Sequence, residues 1–228
     1  MIRRIARGSL VGIALWFATL GNLPEAQATS FADLSIEQFT DASTWIVEGH
    51  VTKVWTELDS DDPSKVWTRA SMTVETVHKG PSNPETLVIE SLGGTYGDVS
   101  TYVPGMAVYS PGEQVFVFLD PVDDGRRLMP VSMFLGKFTI RRAAHAKRKH
   151  VLQVHPKHYP GWVFDHRFLV HPPEEQRRYL DDLRAQVTAR LEAGWDGQPI
   201  PGISMERLAE VNNVPLPVDI PNADPEGL

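Results

Sequence analysis

From residue 44 to residue 140 the chain alternates apolar and polar residues in short runs, with glycine and proline between them. A period of two puts one set of side chains on a buried sheet face and the other in water. In 44–55, Trp45, Val47, Val51 and Trp55 fall on one face, and Glu48, His50 and Thr52 on the other. Gly49 interrupts the inward row, as glycine does where a strand must coil. Further strands are expected over 66–77 (with Ala70, Met72 and Val74 on one side), 85–92, 114–120, 127–133 and 137–140. Short strands divided by turn signals predict a mainly β fold, a small antiparallel OB-like barrel or sandwich. The chain has no cysteine, so this fold holds together without disulfides. Thiolate catalysis, cysteine zinc sites and a lipid-modified cysteine are excluded with it.

Residues 1–28 read as an export leader. Arg3, Arg4 and Arg7 precede an apolar core over 10–20, and Ala26-Gln27-Ala28 forms a small-x-small cleavage site. The apolar run is broken by Gly21, Asn22 and Pro24 and falls short of the ~20 residues a spanning helix needs. The expectation is a signal peptide followed by an exported protein, periplasmic or extracellular, with no stable membrane span after cleavage.

The formal charge of −7 is unevenly distributed. The balance is −9 over 29–140, +6 over 141–190 and −6 over 191–228. These shifts mark a β domain at 29–140 and a basic, histidine-rich extension at 141–171. A helical segment follows at 172–212, then a proline-rich tail at 213–228. Near the start of the β domain, 34–39 reads as a short helix with Ser35 as its N-cap. In the helical segment, Pro172, Pro173, Glu174 and Glu175 form a start signal and Gly194 a stop. Tyr179, Leu180, Leu183, Val187 and Leu191 make the apolar stripe of an amphipathic helix.

A series of motifs runs through 34–140: Glu48-Gly49-His50-Val51, then Val74-Glu75-Thr76-Val77-His78-Lys79-Gly80, then Gly93-Gly94 with Gly97. Val103-Pro104-Gly105, Gly112-Glu113-Gln114-Val115-Phe116-Val117-Phe118-Leu119 and Gly136-Lys137-Phe138 complete it. In this order the motifs resemble a group of exported bacterial domains of unknown function. They are also distantly similar to netrin-like and tissue-inhibitor-of-metalloproteinase domains, which are OB barrels. The resemblance implies a barrel. The inhibitors act through an N-terminal cysteine, which this chain lacks, so their mechanism does not carry over.

The segment 93–113 is a long irregular connection. Gly93, Gly94 and Gly97 free its backbone, and Tyr96, Tyr102, Met106 and Tyr109 offer contact area. Long loops are enriched in function, so this loop is expected to meet a protein, peptide or glycan. The competing expectation is a lid folded onto the barrel with its aromatic rings buried. Six of the eight histidines lie between His145 and His171. His155, His158 and His166 would be the ligands of a metal-binding alternative. Pro156 opposes a shared helix, and the surrounding Lys147, Arg148, Lys149, Lys157 and Arg167 oppose a cation, so no metal or cofactor is expected. Trp162, Phe164 and Phe168 alternate within this stretch, and export argues against nucleic acid as their target. Glu48 with Glu75, or Asp120 with Asp123, are the available paired carboxylates; no G-x-S-x-G nucleophile motif is present. The expected class is a non-catalytic exported binding module. Inhibition of, or association with, an exported protease is the runner-up.

Overall fold

The computed structural model describes residues 30–142, 147–153, 162–164, 170–171 and 176–215. Residues 1–29, which include the expected leader, and His145, His155, His158, His166, Phe168 and the tail beyond residue 215 lie outside the described residues.

The fold is mainly β. In chain order come β1 (Ser30–Ala32), α1 (Ile36–Ala42), β2 (Trp45–Leu58), β3 (Val66–Lys79), β4 (Thr86–Leu92), β5 (Gly94–Tyr96), β6 (Val99–Thr101), β7 (Gln114–Val122) and β8 (Arg127–Pro130). A 3-10 turn (Met133–Gly136) leads to β9 (Lys137–Arg141), β10 (His150–Gln153), β11 (Trp162–Phe164), β12 (Val170–His171) and β13 (Gln176–Tyr179). Two helices follow, α2 (Leu180–Ala193) and α3 (Met205–Asn212). The main sheet is antiparallel, in the order β13-β10-β9-β7-β2-β3-β4, with β8 paired to β7. β1, β11 and β12 form a small separate sheet.

The long hairpin β2–β3 coils until β4 lies beside β8. That seam is closed by side chains. Arg127 of β8 meets Glu90 of β4 at 3.1 Å and Asp59 at 2.8 Å, with its guanidinium 4.2 Å over the Trp67 ring. Arg69 meets Glu90 at 3.1 Å from the other side. These contacts to Glu90 are ion pairs too poorly aligned to be hydrogen bonds. The strand circuit β2-β3-β4-β8-β7 is thus a small barrel, partly open at one seam.

The sheet is buried on two sides. One face of β2, β7 and β3 carries Val47, Val51, Val115, Val117, Leu119, Ala70 and Met72 inward. The opposite face carries Ile46, Phe116, Phe118 and Phe138 under the helices, where Phe39 of α1 reaches Phe118 at 5.3 Å and Phe138 at 6.4 Å. Gly49 lies where the strands pass closest: a Cβ there would stand 2.1 Å from the Thr73 carbonyl oxygen. Ser35 caps α1 as expected, its Oγ accepting from the Gln38 amide, and the Gln38 side chain completes a capping box by accepting from the Ser35 amide.

Three local expectations are corrected. Trp55 does not share the inward face of Val51, because the register shifts between Val51 and Lys53. The extra residue turns Val54 to Ala70 and the core, and leaves the Trp55 indole donating to Glu57 at 2.7 Å. The helix expected to follow Pro172 starts at Leu180, because residues 176–179 pair with β10 as a strand. Leu180, Leu183 and Val187 are buried as the stripe predicts, but Tyr179 and Leu191 are exposed. Gly194 ends α2 at φ 72°. Finally, 93–113 is not wholly irregular, since β5 and β6 form a hairpin within it.

Candidate functional site

The segment 93–113 divides into an exposed hairpin and a buried arm. Gly93 and Gly94 take φ of +123° and +128°, backbone that favours glycine. Gly94 has a second requirement: a Cβ would lie 2.7 Å from Thr68 Oγ1 and 2.9 Å from Thr56 Cγ2. The hairpin therefore sits directly on the β2–β3 pair. The Gly93 amide donates to the Val66 carbonyl at 2.7 Å, and Thr68 Oγ1 donates to the Gly93 carbonyl at 2.6 Å. Thr56 Oγ1 donates to the Thr95 carbonyl at 2.7 Å, and the Val66 amide donates to Thr101 Oγ1 at 2.9 Å. Gly97 (φ +56°) is the first of the two turn residues between Tyr96 and Val99, the place where a tight hairpin turn favours glycine.

Tyr96 remains 49% exposed and Tyr102 71% exposed. Strand alternation puts Tyr96 on the face of Gly94 and Thr101, which meets β2 and β3, and Tyr102 follows the last residue of β6.

Met106 and Tyr109 depart from the expectation of an exposed contact loop. Both are buried, with Ala107 between them. They act as the lid of the competing expectation, and Lys137 of β9 holds that lid down. Its ammonium donates to the Val108 carbonyl and to Glu113 Oε1 at 2.7 Å, and lies 4.8 Å from the Tyr109 ring centre. Glu113 also accepts from Thr139 Oγ1 and, at 3.2 Å, from the Ser110 amide. The Gly112 amide donates to the Val51 carbonyl at 2.7 Å, and the Val51 amide to the Glu113 carbonyl at 2.9 Å. Burial pushes the Tyr109 hydroxyl far up and the Lys137 ammonium down.

The carboxylates considered for acid–base chemistry do not pair with one another. Glu48, read as solvent-facing, is fully buried. It accepts Arg184 Nε at 2.7 Å and Nη2 at 2.6 Å, and it meets His78 Nε2 at 2.7 Å. Burial pushes its carboxyl up, but the bonds from Arg184 and His78 outweigh this and bring it down to about 2. Glu75 pairs with His50 at 2.7 Å and accepts from Gln114. Asp120 holds Arg207 and Thr44, and Asp123 holds Arg127. Asp41 is clasped by Arg190, Nε to Oδ1 at 2.8 Å and Nη2 to Oδ2 at 2.7 Å. Three arginines of α2 and α3 thus bind three carboxylates of the body. Sequence reasoning missed all three pairs, since each joins residues remote along the chain.

A groove of about 390 Å³ lies between α1 and the stretch after α2, lined by Glu37, Gln38, Asp41, Arg190, Asp196 and Gln198. Its arginine is taken up by Asp41 and by Asp196 at 3.2 Å. Among the described residues no group of three or more histidine, aspartate or glutamate side chains is placed to hold a metal ion. No protein-family model matches this chain, and no curated protein matches it either.

Proposed function

We propose that this protein is an exported, non-catalytic binding module that recognises a protein, peptide or glycan through the β5–β6 hairpin. The observation that carries this reading is the pairing of exposure with rigidity. Tyr96 and Tyr102 stand largely in solvent on a hairpin pinned by four hydrogen bonds to β2 and β3. Tyrosine supplies large contact area at low cost in side-chain entropy, and a fixed backbone lowers the ordering cost of binding. Gly93, Gly94 and Gly97 shape the site, and Met106 and Tyr109 are buried in the arm that follows it. The leader at 1–28 supports export. The non-catalytic reading is supported by the use made of the buried carboxylates: Glu48 and Asp41 are each held by an arginine, in geometry suited to docking helices.

The test is retention of a partner from the native envelope by the mature protein. Tyr96→Ala and Tyr102→Ala should each leave the melting temperature within about 2 °C, as expected for exposed positions. Each should weaken capture of that partner at least about tenfold, the effect of removing an aromatic anchor. Undiminished capture by the double variant sinks the proposal.

A further inference from the structure

Beyond the hairpin, the wing of the sheet formed by β9, β10 and β13 carries a second surface. Its inner face is covered: Phe138, Ile140 and Val151 are buried, and Arg178 lies over the Phe138 ring. On the outer face, register places Arg141, His150 and Tyr179 in one row across the three strands. Tyr179 is exposed, with the His150 ring 4.6 Å away and the Arg148 guanidinium 3.9 Å above it. The β9–β10 connection adds Arg142, Lys147 and Lys149 at the same corner.

The local charge is strongly positive. Arg148 is neutralised by Asp182 at 2.5 Å and Asp181 at 3.5 Å, and Lys149 donates to the neutral Gln114 amide. No carboxylate among the described residues pairs with Arg141, Arg142 or Lys147, all of them exposed. The surface therefore holds five cations against two carboxylates, a net excess of three, around a half-exposed tyrosine, in a chain whose overall charge is −7. Each Lys or Arg near an anionic lipid surface contributes about 1 kcal/mol of attraction, roughly fivefold in binding, and tyrosine favours the membrane interface.

We propose that this outer face of β9, β10 and β13 is a peripheral docking surface for anionic phospholipid headgroups. Charge complementarity carries the attraction, and the single ring at its centre sits at headgroup level. The acidic remainder of the protein is repelled by such a surface, so the charge asymmetry also orients the molecule, with this wing toward the lipid.

Sedimentation of the mature protein with vesicles tests it, comparing phosphatidylcholine doped with phosphatidylglycerol against phosphatidylcholine alone. The wild type should bind the doped vesicles, release as salt is raised, and ignore the neutral ones. Arg141→Glu with Arg142→Glu and Lys147→Glu should weaken binding at least about 100-fold, given the share each cation contributes near a charged surface. Asp181→Asn with Asp182→Asn frees Arg148 and should tighten binding roughly fivefold. This second variant reads the proposal in the gain direction, which a loss of folding cannot imitate. Equal binding to neutral vesicles overturns the proposal. So does a triple variant that binds like the wild type, or a wild type that takes up heparin or single-stranded DNA but no vesicles.

Discussion

Replacing Arg190 with methionine should lower the unfolding free energy by about 3–5 kcal/mol, because it strands a buried carboxylate. Asp41 is 4% exposed at the end of α1, and Arg190 is its bidentate partner from α2. The pair itself contributes modestly, since both charges give up water to form it. Burial pushes the Asp41 carboxyl above its ordinary value despite the guanidinium beside it. Removing that guanidinium leaves the Lys79 ammonium as the nearby compensating charge. Lys79 is itself lowered to about 8 by burial and donates to the Thr40 carbonyl at 2.9 Å. The melting temperature should fall by roughly 6–20 °C for a domain of this size. A group whose folded pKa is raised takes up its proton in the folded state first, so acidification favours folding. The deficit of Arg190→Met should therefore shrink as pH falls toward the carboxylate range. Asp41→Leu with Arg190→Met should recover most of the loss, since the stranded carboxylate is gone and Lys79 keeps Asp120 as a compensating charge. Thermal melts of the three variants at neutral and acidic pH check both statements.

Arg184→Met should cost about 3 kcal/mol, the low end of the same range, because Arg184 is partly exposed and His78 still meets Glu48. Here the pH dependence has the opposite sign. The Glu48 carboxyl is held down at about 2 against an ordinary 4.5. A depressed carboxyl contributes stability that is fully present above about 4.5 and is lost as pH falls through about 2. The wild type should therefore lose the contribution of this contact between those values. Arg184→Met, already without most of it, should show a shallower acid slope. Melting curves between neutral pH and pH 2 report the difference. Parallel slopes for wild type and variant would mean that Glu48 does not hold α2 through Arg184.

The central strands were legible because they carry local signals: alternation along 44–55, β-branched and aromatic residues over 114–120, and Gly-Pro at residues 80–81 between strands. The Ser35 cap and the Gly194 stop were legible for the same reason, since each is a short-range hydrogen-bonding or steric rule. The misreadings share a physical cause, which is that tertiary partners decided them. Residues 176–179 follow a sound helix-start pattern, yet β10 offers a strand ladder and takes them. The bulge after Val51 adds one residue to one strand and has no composition of its own. Met106 and Tyr109 sit in a glycine- and proline-rich stretch that reads as surface. Lys137 and Glu113, which fix them in the core, lie 24 residues apart. The arginine latches are the extreme case: Arg184 and Glu48 are separated by 136 residues, Arg190 and Asp41 by 149. An arginine on an amphipathic helix reads as solvent-facing until the element opposite it is known.

The hairpin was legible in part. Its glycines and Tyr96 mark a turn, and Tyr102 follows in the same glycine- and proline-rich stretch. That Tyr96 belongs to a strand paired with Val99 emerges only from the structure. Both tyrosines stand largely in solvent, so a partner of the hairpin would meet them directly.

Photo-crosslinking in the intact cell measures this most directly. A benzophenone side chain placed at position 96 or 102 should give a discrete adduct with one partner. The same group at Val88, exposed on β4 away from the hairpin, should give none. Adducts from Val88 alone, or no adduct from either hairpin position, would contradict a binding role for β5 and β6.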